Sequence, residues 1–352
     1  PIAGKVLVSE GNGVGSWGSV PSNCRTLGNT LNCNGNDLPM PIECIPISST
    51  MSRISTDNKQ QTDANIYWFD EMVFWNSRLW TIRESYIYYS SDGATWYQGS
   101  NIKQGDSPAS TLNLFQKLIA HSDGKLYLII QYTNGAGLIQ RKLLNSYDGA
   151  TWNVINGVLG STIGLFSEVI SFNGRLWTVG GGDIRGSFVP KIYYSTVGII
   201  WTRAVDMNIP SRTDFSLVVY KNKLWLLGGQ DSSGLWMGDV WNTADPTVGW
   251  VNIRTNNRLE QSQVTRFDQQ SLVYGGKLWM VGGKVPMAES KMIFSDDGIN
   301  WTVYQPSNLT FSLNTSNSNY ASVAGAGAFK GNIIVNVLSG TTYGGVWKSS
   351  CQ

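Results

Sequence analysis

The chain has 352 residues, with 39 Gly, 15 Trp and 15 Tyr against a single His and 14% charged residues, where soluble domains average about 25% charge. One His excludes a multi-His metal centre, and a net charge of +2 gives no electrostatic case for nucleic acid. With 41% apolar residues the chain is rich enough to build a core rather than stay disordered, and it has no apolar run long enough to form a membrane span.

The chain opens on Pro1-Ile2-Ala3, with neither Met nor a signal-like stretch. It reads as a processed piece of something longer, with any export signal upstream. Residues 1–43 form an irregular segment rich in Asn, Gly and Ser. The cysteines are Cys24, Cys33, Cys44 and Cys351. An even number without any CxxC pair suggests two disulfides and an oxidising compartment, four buried thiols being the plainer alternative. Three connectivities are open. The favoured one closes a local loop through Cys24 and Cys33, and ties the start of a domain to its end through Cys44 and Cys351.

From residue 78 onward a repeat of about fifty residues governs the chain. A basic or polar residue followed by Leu and an aromatic recurs at Arg78-Leu79-Trp80, Lys125-Leu126-Tyr127, Arg175-Leu176-Trp177, Lys223-Leu224-Trp225 and Lys277-Leu278-Trp279, with a degenerate copy at Asn332-Ile333-Ile334. A second marker, a lone Trp, follows each at Trp96, Trp152, Trp201, Trp250, Trp301 and Trp347. Within a unit the pattern reads as four strands. Residues 215–220, 224–227, 239–242 and 250–253 alternate with turn residues such as Lys221-Asn222, the Asp-Gly pairs at 92–93, 148–149 and 297–298 doing the same elsewhere; such pairs accept positive φ. Six such units predict an all-β fold, a six-bladed β-propeller of four-stranded antiparallel blades. The sixth unit supplies strands near 321–329, 332–338 and 345–349 and then the chain stops, so an N-terminal strand within 44–51 is expected to close the last blade. The propeller is thus assigned to residues 44–352.

The run Leu-Trp, two apolar residues and Gly-Gly (Leu176–Gly181, Leu224–Gly229, Leu278–Gly283), with its later Trp, resembles kelch repeats. The turns Ser90–Trp96, Ser146–Trp152 and Ser295–Trp301 are similar to the Asp-box of sialidase-like propellers. Both resemblances imply architecture more than activity, and the Asp and Ser of these turns are expected to tie the turn together. Gly4–Trp17 is similar to a segment that joins a trimeric stalk to a tip domain in bacterial and phage fibre proteins. That resemblance implies an extracellular or virion-surface location and a homotrimer formed through an upstream stalk.

Turns after the first and third strands fall on one face of the ring, and the longer connections on the other. Recognition residues are expected in the long connections. The candidates are Arg83, Tyr132, Asp183, Arg185, Arg212, Asp214, Asp231, Trp236, Arg266, Asp268 and Lys284, with Glu84 and Glu289 as further carboxylates. His121 falls in a hairpin turn on the other face and is expected to be solvated. Sialidase-like hydrolysis would need an arginine cluster, drawn from Arg83, Arg185, Arg212 and Arg266, beside a Tyr–Glu pair. The family's Arg-Ile-Pro signature is absent, however; Asn208-Ile209-Pro210 is the nearest string. Galactose-oxidase-like copper chemistry needs two His ligands and is excluded, and no catalytic residue, metal or cofactor is assigned. The expected function is non-catalytic recognition of a cell-surface glycan or glycoprotein by a fibre tip. A sialidase-like glycoside hydrolase and a kelch-type protein-interaction propeller are the alternatives.

Overall fold

The structure, a computed structural model, describes residues 5–9, 15–19, 24–27, 30–33, 36–39, 47–55, 72–83, 85–102, 111–133, 139–155, 168–180, 191–204, 208–255, 267–284, 292–304, 321–329, 331–339 and 345–351. Strands β1 (Lys5–Ser9) and β2 (Gly15–Ser19) form an antiparallel pair. Strands β3 (Cys24–Leu27), β4 (Thr30–Cys33) and β5 (Asn36–Pro39) form a three-stranded meander. Cys24 and Cys33 stand opposite one another in the β3–β4 register. Cys44 and the side chains of the other three cysteines lie outside the described residues, and both expected bridges with them.

Strand β6 (Ile47–Ser55) leaves this N-terminal region for the ring. Blade 1 comprises β7 (Val73–Trp75), β8 (Arg78–Arg83), β9 (Tyr86–Ser90) and β10 (Tyr97–Asn101). Blade 2 comprises β11 (Thr111–Ala120), β12 (Leu126–Thr133), β13 (Ile139–Ser146) and β14 (Asn153–Ile155). Blade 3 has β15 (Glu168–Phe172), β16 (Arg175–Val179), β17 (Ile192–Ser195) and β18 (Thr202–Arg203). Blade 4 has β19 (Ser216–Tyr220), β20 (Lys223–Leu227), β21 (Val240–Thr243) and β22 (Val251–Arg254). Blade 5 has β23 (Phe267–Tyr274), β24 (Lys277–Lys284), β25 (Met292–Ser295) and β26 (Thr302–Tyr304). Blade 6 takes β27 (Ala321–Phe329), β28 (Asn332–Ser339) and β29 (Gly345–Cys351) from the C-terminus, and its fourth strand is β6. The clasp pairs Ser349 with Met51 and Cys351 with Ile47. It therefore runs four residues past the expected segment.

The second strand of each blade shows how the ring is cemented. Side chains alternate across a strand, so Leu224 and Leu226 of β20 face blade 3, while Trp225 and Leu227 face blade 5. Across the described residues this alternation generates six apolar clusters. Each joins two neighbouring blades, including one between blades 6 and 1. The Trp of the repeat always faces the following blade, and its indole N–H donates across the hairpin: Trp80 to the Trp75 carbonyl (2.9 Å), Trp177 to Phe172 (2.9 Å), Trp225 to Tyr220 (2.8 Å) and Trp279 to Tyr274 (3.0 Å). Blade 2 has Tyr127 there instead, and its hydroxyl donates to Asp123 (2.8 Å) in the longer turn.

The turns between third and fourth strands of blades 1, 2, 3 and 5 supply the other half of their joints. In the Ser-X-Asp-Gly turns the Ser hydroxyl donates to the Asp carboxylate at 3.0 Å and accepts the Gly N–H at 2.8 Å. The same carboxylate accepts the next two amide N–H groups, at 2.8 and 2.7 Å from Ala150 and Thr151. These N–H donors, Thr151 first and Ala150 next, hold Asp148 well below the usual carboxylate range, at about 2. The turn glycine then seats on the preceding blade. A Cβ on Gly149 (φ +75) would stand 2.1 Å from the Trp80 ring, and one on Gly298 would stand 2.3 Å from Trp225.

His121 departs from expectation. It is 6% exposed rather than solvated, because its turn packs against blade 3. Its Nδ1 lies 2.7 Å from the Ser171 hydroxyl and its Nε2 3.2 Å from the Thr196 carbonyl.

Gly149→Ala and Gly174→Ala separate packing from backbone strain, since Gly174 has φ +71 but nothing within 4 Å of its would-be Cβ. Denaturant unfolding should show about 1 kcal/mol lost at Gly174 and about 2–4 kcal/mol at Gly149. Equal losses would remove the Trp80 seat as the cause. For Asp148, a folded value below the unfolded 3.8 makes its contribution fully present above that pH and lost as pH falls toward about 2. Asp148→Asn should flatten the acid limb of an unfolding titration in that window.

Candidate functional site

The two faces of the ring differ in what their polar groups do. On the turn face, the Ser and Asp side chains are engaged by the turns' own backbone, as described. Between the faces, the first strands of blades 1 to 5 line a cavity of about 440 Å³. Its walls are largely apolar, through Val73, Ile119, Val169, Leu217 and Val273. At the wall Lys117 of β11 forms an ion pair with Glu168 of β15, bridging blades 2 and 3.

The long-loop face is described most fully at blade 4, where 208–255 is continuous. The segment before β19 and the loop after β20 meet there. Thr213 and Gln230 exchange backbone hydrogen bonds at 2.9 and 2.8 Å, and Gln230 bridges in turn to Trp236. Beneath them Arg212, 3% exposed, makes a two-pronged pair with Asp239 at 2.6 and 2.7 Å. The guanidinium also donates to the Gly228 carbonyl at 2.9 Å and to Pro210 at 3.2 Å. Asp239 accepts the Trp241 indole N–H at 2.6 Å. Each nitrogen of the guanidinium and each oxygen of the carboxylate thereby has at least one partner, which is the condition under which such a pair is tolerated. Gly229 (φ +107) is required by close approach, since a Cβ there would meet the Thr213 carbonyl at 2.8 Å.

Arg212 is therefore not a surface contact. The expectation failed because an arginine in a polar connection reads as exposed, while its partner Asp239 lies 27 residues away. Asp214 is exposed and adopts φ 54. Asp231 and Trp236 are half-buried in the loop. The pairing of Thr213 with Gln230 brings these three onto one loop pair. Arg83, Tyr132, Asp268 and Lys284 lie on β8, β12, β23 and β24, but their side chains are outside the described residues, as are Asp183, Arg185 and Arg266 altogether. Sequence reasoning missed Leu235, which is 49% exposed at the tip of the same loop. Its signal was present: a lone large aliphatic among Asp231-Ser232-Ser233-Gly234.

No family model matches the chain. Beta-scruin of Limulus polyphemus, a kelch-repeat protein, is 28% identical over 119 residues, covering 32% of this chain. The matched part is only 12% of that relative's length. A solved structure of YjhT superposes with a TM-score of 0.57 at 12% identity, over 81% of this chain and 94% of that one. The first likeness, with the six-bladed ring, supports a kelch-type propeller. The second speaks for the fold alone.

Arg212→Ala tests the structural role. Removing one member of a buried pair leaves Asp239 charged and dry, and should cost about 3–5 kcal/mol in denaturant unfolding. A loss comparable to an exposed substitution, within about 0.5 kcal/mol, would restore Arg212 as a surface residue.

Proposed function

We propose that this chain is a non-catalytic recognition module, a kelch-type propeller that binds a protein partner through its long-loop face. The observation that carries the reading is the hydrogen-bonded loop pair of blade 4, which holds Leu235, Trp236 and Asp214 on a scaffold braced by the buried Arg212–Asp239 pair. Rigid loops on a rigid ring lose little conformational entropy on binding. The likeness to beta-scruin is consistent with an interaction propeller. The hydrolase alternative loses one of its four arginines to Asp239.

Recognition of a cell-surface glycan by an extracellular, trimeric fibre tip is the second reading. It is favoured by the half-buried Trp236 beside an acidic group, the pairing of a ring face with polar atoms that sugars use, and by the resemblance of Gly4–Trp17. A glycan array probed with the full chain tests it, and blank binding would remove it.

For the first reading, the full chain is applied to a protein microarray alongside two pairs of variants. Tyr132→Ala and Leu235→Ser alter the long-loop side, and Ile200→Ser and Val248→Ser alter exposed apolar residues of the turn face. Binding should fall about tenfold in the first pair and persist in the second. The reverse pattern would move the interface to the turn face.

A further inference from the structure

We propose that the loop pair formed by 213–214 and 230–236 is a docking site for a basic protein segment, one that presents an aliphatic or aromatic side chain next to a lysine or arginine. This rests on the recognition reading above and names the partner's chemistry.

The first argument is the loop's internal order. Asp231 N–H donates to the Leu235 carbonyl (3.0 Å), and Gly234 N–H to the Asp231 carbonyl (2.9 Å). The Asp231 carboxylate accepts the N–H groups of Ser233 and Leu235, both at 2.9 Å. The Gln230 amide donates to the Gly234 carbonyl at 2.8 Å. Met237, 1% exposed, anchors the far end and donates its N–H to Gly229 at 2.9 Å. A loop closed this way cannot fold its tip back to hide Leu235. Among the described residues Leu235 is the one large, exposed apolar side chain in a long connection; the others lie on turns, outer strands or the channel wall. An apolar side chain fixed in the open, with a half-buried Trp beside it, is the kind of anchor around which interfaces concentrate their energy.

The second argument is charge. Asp214 is exposed and Asp231 half-exposed around this anchor. The Arg212 guanidinium grips Asp239, and the Arg254 guanidinium donates to the Gly238 carbonyl. The loop pair thus offers an apolar centre beside the exposed Asp214 carboxylate, and a cation flanking an apolar side chain complements it. Sugar hydroxyls fit less well. They need planar polar groups to exchange hydrogen bonds, whereas the Gln230 amide and one Asp231 oxygen already serve the loop's own backbone.

The test uses the full chain and fluorescein-labelled peptides read by anisotropy. One peptide interleaves Lys with Leu, a second replaces Lys by Glu, and a third replaces Leu by Ser. Only the first should bind, more weakly at high salt. Leu235→Ser should reduce its affinity about tenfold. Asp214→Asn, which still tolerates positive φ, should reduce it a few-fold and remove much of the salt dependence. Preference for the Glu peptide, or Lys–Leu binding indifferent to both substitutions, would overturn the proposal. So would a neutral glycan whose binding is lost in Leu235→Ser while no peptide binds. If no peptide binds but microarray partners are still lost in Tyr132→Ala, this inference fails and the recognition reading survives. Loss of microarray binding only in the turn-face variants would defeat both. Because Leu235 and Asp214 are at the surface, unchanged thermal midpoints should accompany every variant.

Discussion

At four of the six joints of the ring, one large side chain is seated on a turn glycine of the next blade. The third residue of the repeat motif points to the following blade, and that blade answers with a turn glycine. Trp80 meets Gly149, Trp225 meets Gly298, and in the degenerate sixth motif Ile334 meets Gly93. A sheet with apolar side chains on both faces has no side to give to water, so every blade needs two neighbours. Burying one large side chain is worth about 1.5–3 kcal/mol. An open array would forfeit that at both ends and leave bare strand edges. The pairing of β29 with β6 settles the matter by joining the two ends of the propeller in one sheet. Closing so long a loop has an entropic cost that grows only slowly with length, and the cluster between blades 6 and 1 offsets it with Leu79, Trp96, Phe329 and Ile334.

Blade 3 shows which parts of the turn this joint requires. Its turn reads Ser195-Thr196-Val197-Gly198, with Val where the other turns have Asp. The Ser195 hydroxyl still accepts the Gly198 N–H at 2.9 Å, and Trp201 still donates to the Gly198 carbonyl at 3.0 Å. The glycine still seats closely, now on Leu143 because blade 2 has Tyr127 in the Trp position. Blade 3 therefore keeps the glycine and its hydroxyl latch without the carboxylate, whereas blade 4 has Pro246 at the glycine position and packs its joint through Trp177, Trp241 and Trp250. Elsewhere the carboxylate adds bonds to the turn backbone. That is a structural use of acidic residues, and it leaves them no spare role on that face.

The architecture was legible in the sequence because its causes are local and repeated. Leu-Trp marks a strand buried on both faces, Asn-Gly and Lys-Asn mark tight hairpins, and a sixth unit short of one strand implies a clasp. The clasp's length was not legible, since nothing before Ser55 distinguishes strand from loop by pattern. Nor were the buried polar groups. His121 lies in a turn that looks exposed from its own sequence, and its partners Ser171 and Thr196 sit 50 and 75 residues away. Arg212 is hidden for the same reason, its burial depending on Asp239 across the blade. Pairwise burial between residues far apart in the sequence leaves no periodic mark.

This contrast bears on where recognition can reside. The joints constrain the second strand in every blade, and the turn between third and fourth strands in blades 1, 2, 3 and 5. They place no demand on the connection after the second strand beyond close passage past its glycines, and the uneven spacing of the motifs is taken up in the connections rather than in the strands. In blade 4 that freedom is used to build something unrepeated. A charged pair is buried where an apolar contact would serve the fold as well, and it braces a loop whose own polar groups are satisfied internally. What remains outward is an aliphatic tip and negative charge, neither of which the ring needs. A feature that the fold does not require, held rigidly by the Arg212–Asp239 pair, is what the proposed recognition through this face draws on.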